Sequence, residues 1–203
     1  SSVSAPTSSV IGAYTQIWDM RYPGSALTEQ EKTIYKELIQ NGGFVYVSGE
    51  NTNSSFTARN NSIEDLISSM GGGSTQIGTS NVTDSYVNTN SEYIPSTSTI
   101  KLGYSGQIIN DQGTYIFRNS SNKVAAMAWI GADGDLGSGY SGTLFVIGDI
   151  NWTQGSYYVS NNQNALGDII DNIANAAYEN SASPSSAVFN SEVTFSGGDR
   201  TLT

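Results

Sequence analysis

The chain contains no cysteine and no histidine, and only 8 Lys and Arg residues stand against 18 Asp and Glu. Without thiols or imidazoles, zinc fingers, thiol nucleophiles, haem ligation by His, Ser-His-Asp triads and imidazole switches are all excluded. The absence of cysteine also rules out a disulfide scaffold and leaves the redox compartment open. Charged residues make up 13%, about half the usual ~25%. A net charge of −10 repels phosphate backbones, so nucleic acid is not expected as a partner. No run approaches the ~18 apolar residues of a membrane span, and no charged-then-apolar leader opens the chain. Membrane insertion and a signal peptide are therefore not expected.

In place of charge there are hydroxyls and amides: Ser, Thr, Asn and Gly supply 90 of the 203 residues. Such bias often marks a disordered linker. Here 37% hydrophobic content, with 12 Tyr, 6 Phe and 3 Trp, falls in distinct blocks and indicates a folded domain of ordinary size. Scarce Lys with abundant Ser, Thr, Asn and Tyr suits an extracellular, cell-surface or virion protein. A first residue of Ser fits a processed or excised chain. Five N-x-S/T sequons, at Asn53, Asn60, Asn81, Asn119 and Asn151, match the roughly five that chance supplies at this composition, so they carry no signal.

Residues 1–12 read as an N-terminal arm and 181–203 as a C-terminal arm or extra strand near 188–195; 13–180 form one domain. A strand over 14–19 ends at Asp19 and a turn around Pro23-Gly24. Thr28 and Glu31 form a capping box that opens a helix with Ile34, Tyr35, Leu38 and Ile39 on one stripe, stopped by Asn41-Gly42-Gly43. Phe44-Val45-Tyr46-Val47 is a continuous apolar strand of the kind buried on both faces. Ser62, with Asp65 three residues on, reads as the N-cap of a second helix carrying Ile63, Leu66, Ile67 and Met70, ended by Gly71-Gly72-Gly73. The stretch 74–113 is the least regular, with short strand candidates at 76–77 and 99–104. Strands follow at 114–117, 124–130 and 143–147, Asn122 marking a hairpin turn, and a last helix runs over about 163–178.

Strand, helix, strand, helix implies parallel pairing through crossover helices. The expected fold is a three-layer α/β sandwich: a mixed, mostly parallel sheet with helices on both faces and a partly antiparallel second half. The run Gln16-Ile17-Trp18-Asp19, then Leu27-Thr28 through Gly42-Gly43 into Phe44-Val45-Tyr46-Val47, together with the later Leu144-Phe145-Val146-Ile147-Gly148-Asp149, resembles the class I glutamine amidotransferase-like domains. The resemblance covers roughly 14–70 and 143–178 and implies a flavodoxin-like fold. It also implies a non-catalytic relative: at the strand-to-helix elbow, where catalytic members carry a Cys assisted by a His, this chain reads Val47-Ser48-Gly49-Glu50.

Ligands of open α/β sheets bind beyond the carboxyl ends of the strands. Asp19, Glu50 and Asp149 fall at such ends, with Arg21, Asn51, Arg59 and Asn151 beside them and Asn60 next to Arg59. These residues are the candidate ligand-binding set, taking a cation or a sugar. In the alternative reading, Arg21 and Arg59 neutralise the acids and brace the loops. Ser48 lacks the G-x-S-x-G frame, since Tyr46 stands where the first Gly belongs. Asp133-Gly134-Asp135, in a Gly-rich loop, offers an incidental Ca²⁺ site and no EF-hand, because position 12 from Asp133 is Leu144. Otherwise no cofactor and no catalytic residue is expected. Tyr86, Tyr93, Tyr104, Tyr115, Tyr140, Tyr157 and Tyr158 suit a contact face for protein or glycan.

The expected function is that of a non-enzymatic structural or attachment domain in a filament, virion or adhesin. Its expected partners are other subunits of a surface assembly, including copies of itself. The alternative is an extracellular glycan-binding or glycan-cleaving domain that uses the strand-end carboxylates, Glu50 and Asp149 acting as an acid pair.

Overall fold

The computed structural model describes residues 15–22 and 24–175. The two expected arms, the turn residue Pro23, the strand candidate at 188–195 and the end of the last helix lie outside the described residues. Among these residues nine strands form one curled sheet, ordered β1-β2-β9-β8-β7-β4-β5, with β6 pairing both β8 and β3 off that path. The strands are β1 Gln16–Asp19, β2 Phe44–Ser48, β3 Gln76–Val82, β4 Tyr86–Thr89, β5 Thr99–Lys101, β6 Ser105–Ile109, β7 Thr114–Arg118, β8 Val124–Ile130 and β9 Thr143–Ile147. Three α-helices accompany them: α1 Glu29–Gln40, α2 Thr57–Ser69 and α3 Ser160–Asp168, the last continuing as a π-helix over Ile169–Ala174.

Two of the eight strand pairings are parallel, β1 with β2 and β2 with β9; the other six are antiparallel. The expected three-layer α/β sandwich with a mostly parallel sheet is therefore wrong, and so is the helix-rich flavodoxin-like fold that the amidotransferase resemblance implied. The error has one source. The crossover through α1 does return β2 parallel to β1, but the connection through α2 delivers β3 to β6, antiparallel and unpaired with β2. The place beside β2 goes to β9, and hairpins and loops connect most of the strands between them. The fold is a mostly β, curled half-barrel.

Local chemistry explains the elements that were legible. The Thr28 hydroxyl accepts from the Glu31 N–H and the Glu31 carboxylate accepts from the Thr28 N–H, the reciprocal capping box that starts α1. Ile34, Tyr35, Leu38 and Ile39 are all buried. The chain leaves the helix through Gly42 at φ 83°, a conformation a β-carbon disfavours. β2 is buried along its whole length. Phe44 and Tyr46 join a core with Phe117, Phe145, Trp152 and the π-helical Ile169 and Ile173, while Val45 and Val47 join a second core with α1 and α2. In the first core the Trp152 indole N–H donates to the Tyr46 hydroxyl at 2.7 Å, which satisfies two polar groups in an apolar setting.

Helix α2 begins five residues before the expected cap. Ser62 is buried in its interior: its hydroxyl donates to the Arg59 carbonyl and accepts from the Leu27 N–H, fastening the approach to α1 onto α2. The S-x-x-D pattern there mimics a cap but does tertiary work instead. In the irregular stretch, β4 and β6 were not anticipated, and β3 runs to Val82 rather than ending at residue 77.

Candidate functional site

The carboxyl ends of the three parallel strands do gather the expected acids, and each acid is held differently. Asp19, closing β1, accepts from Arg21 Nε at 2.8 Å, from a terminal Arg21 nitrogen at 2.7 Å, from Arg59 at 2.8 Å and from the Tyr35 hydroxyl at 2.7 Å. Burial alone would raise its pKa, but the Arg21 hydrogen bonds and the Arg59 charge outweigh burial and hold this carboxyl well below the usual range. The other terminal nitrogen of Arg21 donates to Glu31 at 2.6 Å, so the network joins the capping box of α1 to the end of β1. Burial, with the neighbouring Asp19 charge, pushes the Tyr35 hydroxyl upward.

Both arginines converge on Asp19, and neither bonds Glu50 or Asp149. The bracing reading of these residues thus fits one acid of the three. Glu50 is buried two residues past β2. Its Oε1 accepts from the Ile150 N–H at 3.2 Å, and its Oε2 accepts from the Asn51 backbone at 3.0 Å and side chain at 2.7 Å. Burial pushes its pKa up to about 7; the Asn51 and Ile150 N–H groups oppose that rise and the Asp149 charge adds to it. Asp149 is fully buried after β9. It accepts from the Asn151 N–H at 2.7 Å and from the Gly103 N–H, and burial raises its pKa against those bonds. All six carboxylate oxygens of Asp19, Glu50 and Asp149 therefore take protein donors.

The sequence placed Asn60 beside the strand-end acids but did not show that it clamps this corner, and it gave no sign of the other clamping groups. Asn60 accepts from the Glu50 N–H and donates to the Glu50 carbonyl, both at 2.9 Å, and so fixes the chain where it leaves β2. Tyr35 was read only as a core residue. Gly106 packs against the Glu50 carbonyl and Gly148 against Gly106, so closely that no β-carbon fits at either position. A polar asparagine inside an otherwise apolar helix face was the available signal for Asn60. The glycine contacts left none, because they arise between segments distant in sequence. Among the sequons, Asn60 and Asn119 are buried.

Ser48 is wholly buried, and its hydroxyl is the one buried polar side-chain atom without a hydrogen-bond partner among the described residues. Among the described residues no base bonds it, so a nucleophilic role lacks its first requirement. In the Gly-rich loop, Asp133 is exposed, and Asp135 accepts from the Ile130 N–H at 3.0 Å, closing a turn through Gly134 at φ 87°. Among the described residues, no three acidic, His or Cys side chains group as metal ligands, and none of the helices is long and apolar enough to cross a membrane.

The tyrosines divide between surface and interior. Tyr86, Tyr104 and Tyr158 are exposed, whereas Tyr93, Tyr115, Tyr140 and Tyr157 are half-buried. Tyr86 sits opposite Lys101 on the β4–β5 pair, and Lys101 Nζ lies 5.3 Å over the Tyr157 ring. Tyr86, Lys101 and Tyr157 therefore share one end of the sheet, with Tyr104 three residues beyond Lys101.

No family model matches this chain, and no curated protein does so at a significant level. Among solved structures it is similar to the mmIFT52 N-terminal domain, at 14% identity and TM-score 0.59, over 82% of this chain and 79% of that one. Two weaker likenesses are to a cold-adapted β-galactosidase from Rahnella sp. R3 (11% identity, TM-score 0.46, 78% of this chain and 23% of that one) and an exo-β-1,4-mannosidase from Opitutaceae bacterium strain TAV5 (9%, 0.43, 86% and 26%). At such identity the first likeness establishes fold and nothing more. It places this curled sheet with the mmIFT52 N-terminal domain rather than with the flavodoxin-like amidotransferases that the sequence resembled.

Proposed function

We propose that this chain is a non-enzymatic structural and attachment domain of an extracellular or particle-surface assembly. In this reading it binds other protein subunits, including copies of itself. The carrying observation is that every oxygen of the three strand-end carboxylates is occupied by an internal donor, so that the corner where an α/β enzyme would keep its reactive groups is spent on bracing loops. A carboxyl near pH 7 is suited to general-acid work. Glu50, however, is 2% exposed and engaged at both oxygens, which argues against the glycan-cleaving alternative. The exposed Tyr86 and Tyr104 supply rigid contact area at small entropic cost, on a surface with few charges to desolvate.

The test is native mass. The protein is expected to run above its 21.5 kDa monomer at high concentration, and a Tyr86→Ser/Tyr104→Ser variant is expected to return to monomer. A monomer at all concentrations, or self-association unchanged in the variant, would overturn the reading of this face.

A further inference from the structure

A cleft of about 270 Å³ lies between α2 and β3; Asn51 and Asn60, which bond Glu50, are part of its lining, and the Glu50 carboxylate is not. One wall is a helical stripe, Thr57, Asn61 and Glu64, spaced i, i+4 and i+7 so that all three face the same way. The other wall is β3, contributing Gln76, Gly78 and Thr79. Among the described residues this strand pairs only with β6, and its register slips between Ile77 and Asn81. Gly78 sits in that irregularity at φ 69°, so close to Asn60 and the carbonyls of Glu50 and Asn51 that no β-carbon fits there.

The lining defines what fits. Thr57, Asn61, Gln76 and Thr79 are exposed and their side chains bond no protein group among the described residues. Glu64 lines the cleft, is half-buried and uses Oε1 to accept the Ile77 N–H at 2.6 Å, and its Oε2 has no protein partner among the described residues. Two amides, two hydroxyls and one carboxylate oxygen are thus unengaged donors and acceptors in mixed order, while Asn51, Thr52 and Asn60, which complete the lining, bond protein groups. Among the described residues no cationic side chain lines the cleft, and with a net charge of −10 an anion is repelled. Ile77 is the sole apolar residue of the lining and is itself buried, so an apolar ligand gains nothing. A bare divalent cation needs six or more oxygens and would leave the amide N–H₂ donors unused. The volume lies just below the ~300–1,000 Å³ of pockets for drug-sized ligands, which is room for about one small ring.

We propose that this cleft is a binding site for a neutral polyhydroxylated ligand, a single sugar ring or the end of a glycan. Glu64 accepts from paired hydroxyls, and Asn61 and Gln76 each both donate and accept. The site shares no residue with the tyrosine face, so it stands or falls separately from self-association, while Asn51 and Asn60 connect it to Glu50.

The experiment is an amide-resolved NMR titration of the full chain with D-mannose, D-galactose and N-acetyl-D-glucosamine in turn, at millimolar concentrations, with CaCl₂ as a fourth arm. The expected result is saturable shifts at the amides of Asn61, Gln76, Gly78 and Thr79 with at least one sugar. Asn61→Leu, at an exposed position, is expected to weaken that binding about tenfold or more while the remaining amide signals stay in place. Glu64→Gln, which keeps an acceptor for Ile77, should weaken it likewise. No saturable shift with any of the three sugars would overturn the proposal. So would shifts with CaCl₂ alone, or sugar shifts unchanged in Asn61→Leu.

Discussion

The Arg59 guanidinium, with its side chain 1% exposed, lies 2.8 Å from the Asp19 carboxylate, itself 3% exposed, and so ties α2 to the end of β1 across 40 residues of sequence. Arg59 also donates from Nε to the Ser48 carbonyl at 3.1 Å, so one side chain holds the ends of two neighbouring parallel strands. A buried charge left alone is far more destabilising than a charge pair is stabilising. Arg59→Met is therefore expected to lower unfolding free energy by about 3 kcal/mol, Arg21 remaining as a partial partner. Arg21, with 42% of its side chain exposed, is expected to matter less, about 1 kcal/mol for Arg21→Met. Urea denaturation of the two variants checks the order.

The acids of the strand ends set opposing pH dependences. Asp19 has a folded pKa below its unfolded one, so its contribution is present above about pH 4 and is lost as pH falls further. Glu50 is raised from 4.5 to about 7, so the native state holds a proton that the unfolded chain has released. Its contribution is complete below about 4.5 and is lost as pH rises to about 7. Asp149 is shifted in the same direction as Glu50. Thermal midpoints are thus expected to fall from about pH 5 to about pH 8. Glu50→Gln should flatten that slope whatever it does to the midpoint itself; an unchanged slope would show that Glu50 does not titrate there.

Ser62 provides a third test. Ser62→Ala leaves the Leu27 N–H without its acceptor in a buried position, which corresponds to about 1–3 kcal/mol. Were Ser62 an N-cap, peptide fragments of α2 would lose helicity with the substitution. Because its bond is tertiary, loss is expected in the intact protein by denaturation, and none by circular dichroism of the isolated segment.

In the core of the sheet, Tyr46→Phe removes the acceptor of the Trp152 indole N–H while keeping ring packing against Phe145. A loss of about 1–3 kcal/mol is expected from the orphaned donor. Trp152 fluorescence read alongside unfolding distinguishes this from loss of packing, since the ring stays buried.

Legibility in the sequence followed the range of the interactions involved. Thr28 and Glu31 meet within one helical turn, and the apolar runs Phe44–Ser48, Val124–Ile130 and Thr143–Ile147 declare buried strands on their own. Helix α2 was misplaced because its N-cap position, Phe56, makes no side-chain cap, while Ser62 offers the right letters for the wrong purpose. β6, reading Ser-Gly-Gln-Ile-Ile, lacks clean alternation because Gly106 is there to admit the Glu50 carbonyl. The acids Asp19, Glu50 and Asp149 were found as strand-end residues. Which of them would meet an arginine depended on which strands became neighbours. The stripe of Thr57, Asn61 and Glu64 was hidden by the same displaced helix start.

By itself the sequence determined the absence of thiol and imidazole chemistry, the sign of the charge, the ends of α1 and the strands that must be buried. Propensity, capping and hydrophobic runs act over a few residues and need no partner. The tertiary structure alone decided that β9 lies beside β2, that β3 turns away to β6, and that the sheet is mostly antiparallel. Those choices depend on which buried faces fit together across long stretches of chain. Strand pairing is fixed by such context more than by intrinsic preference.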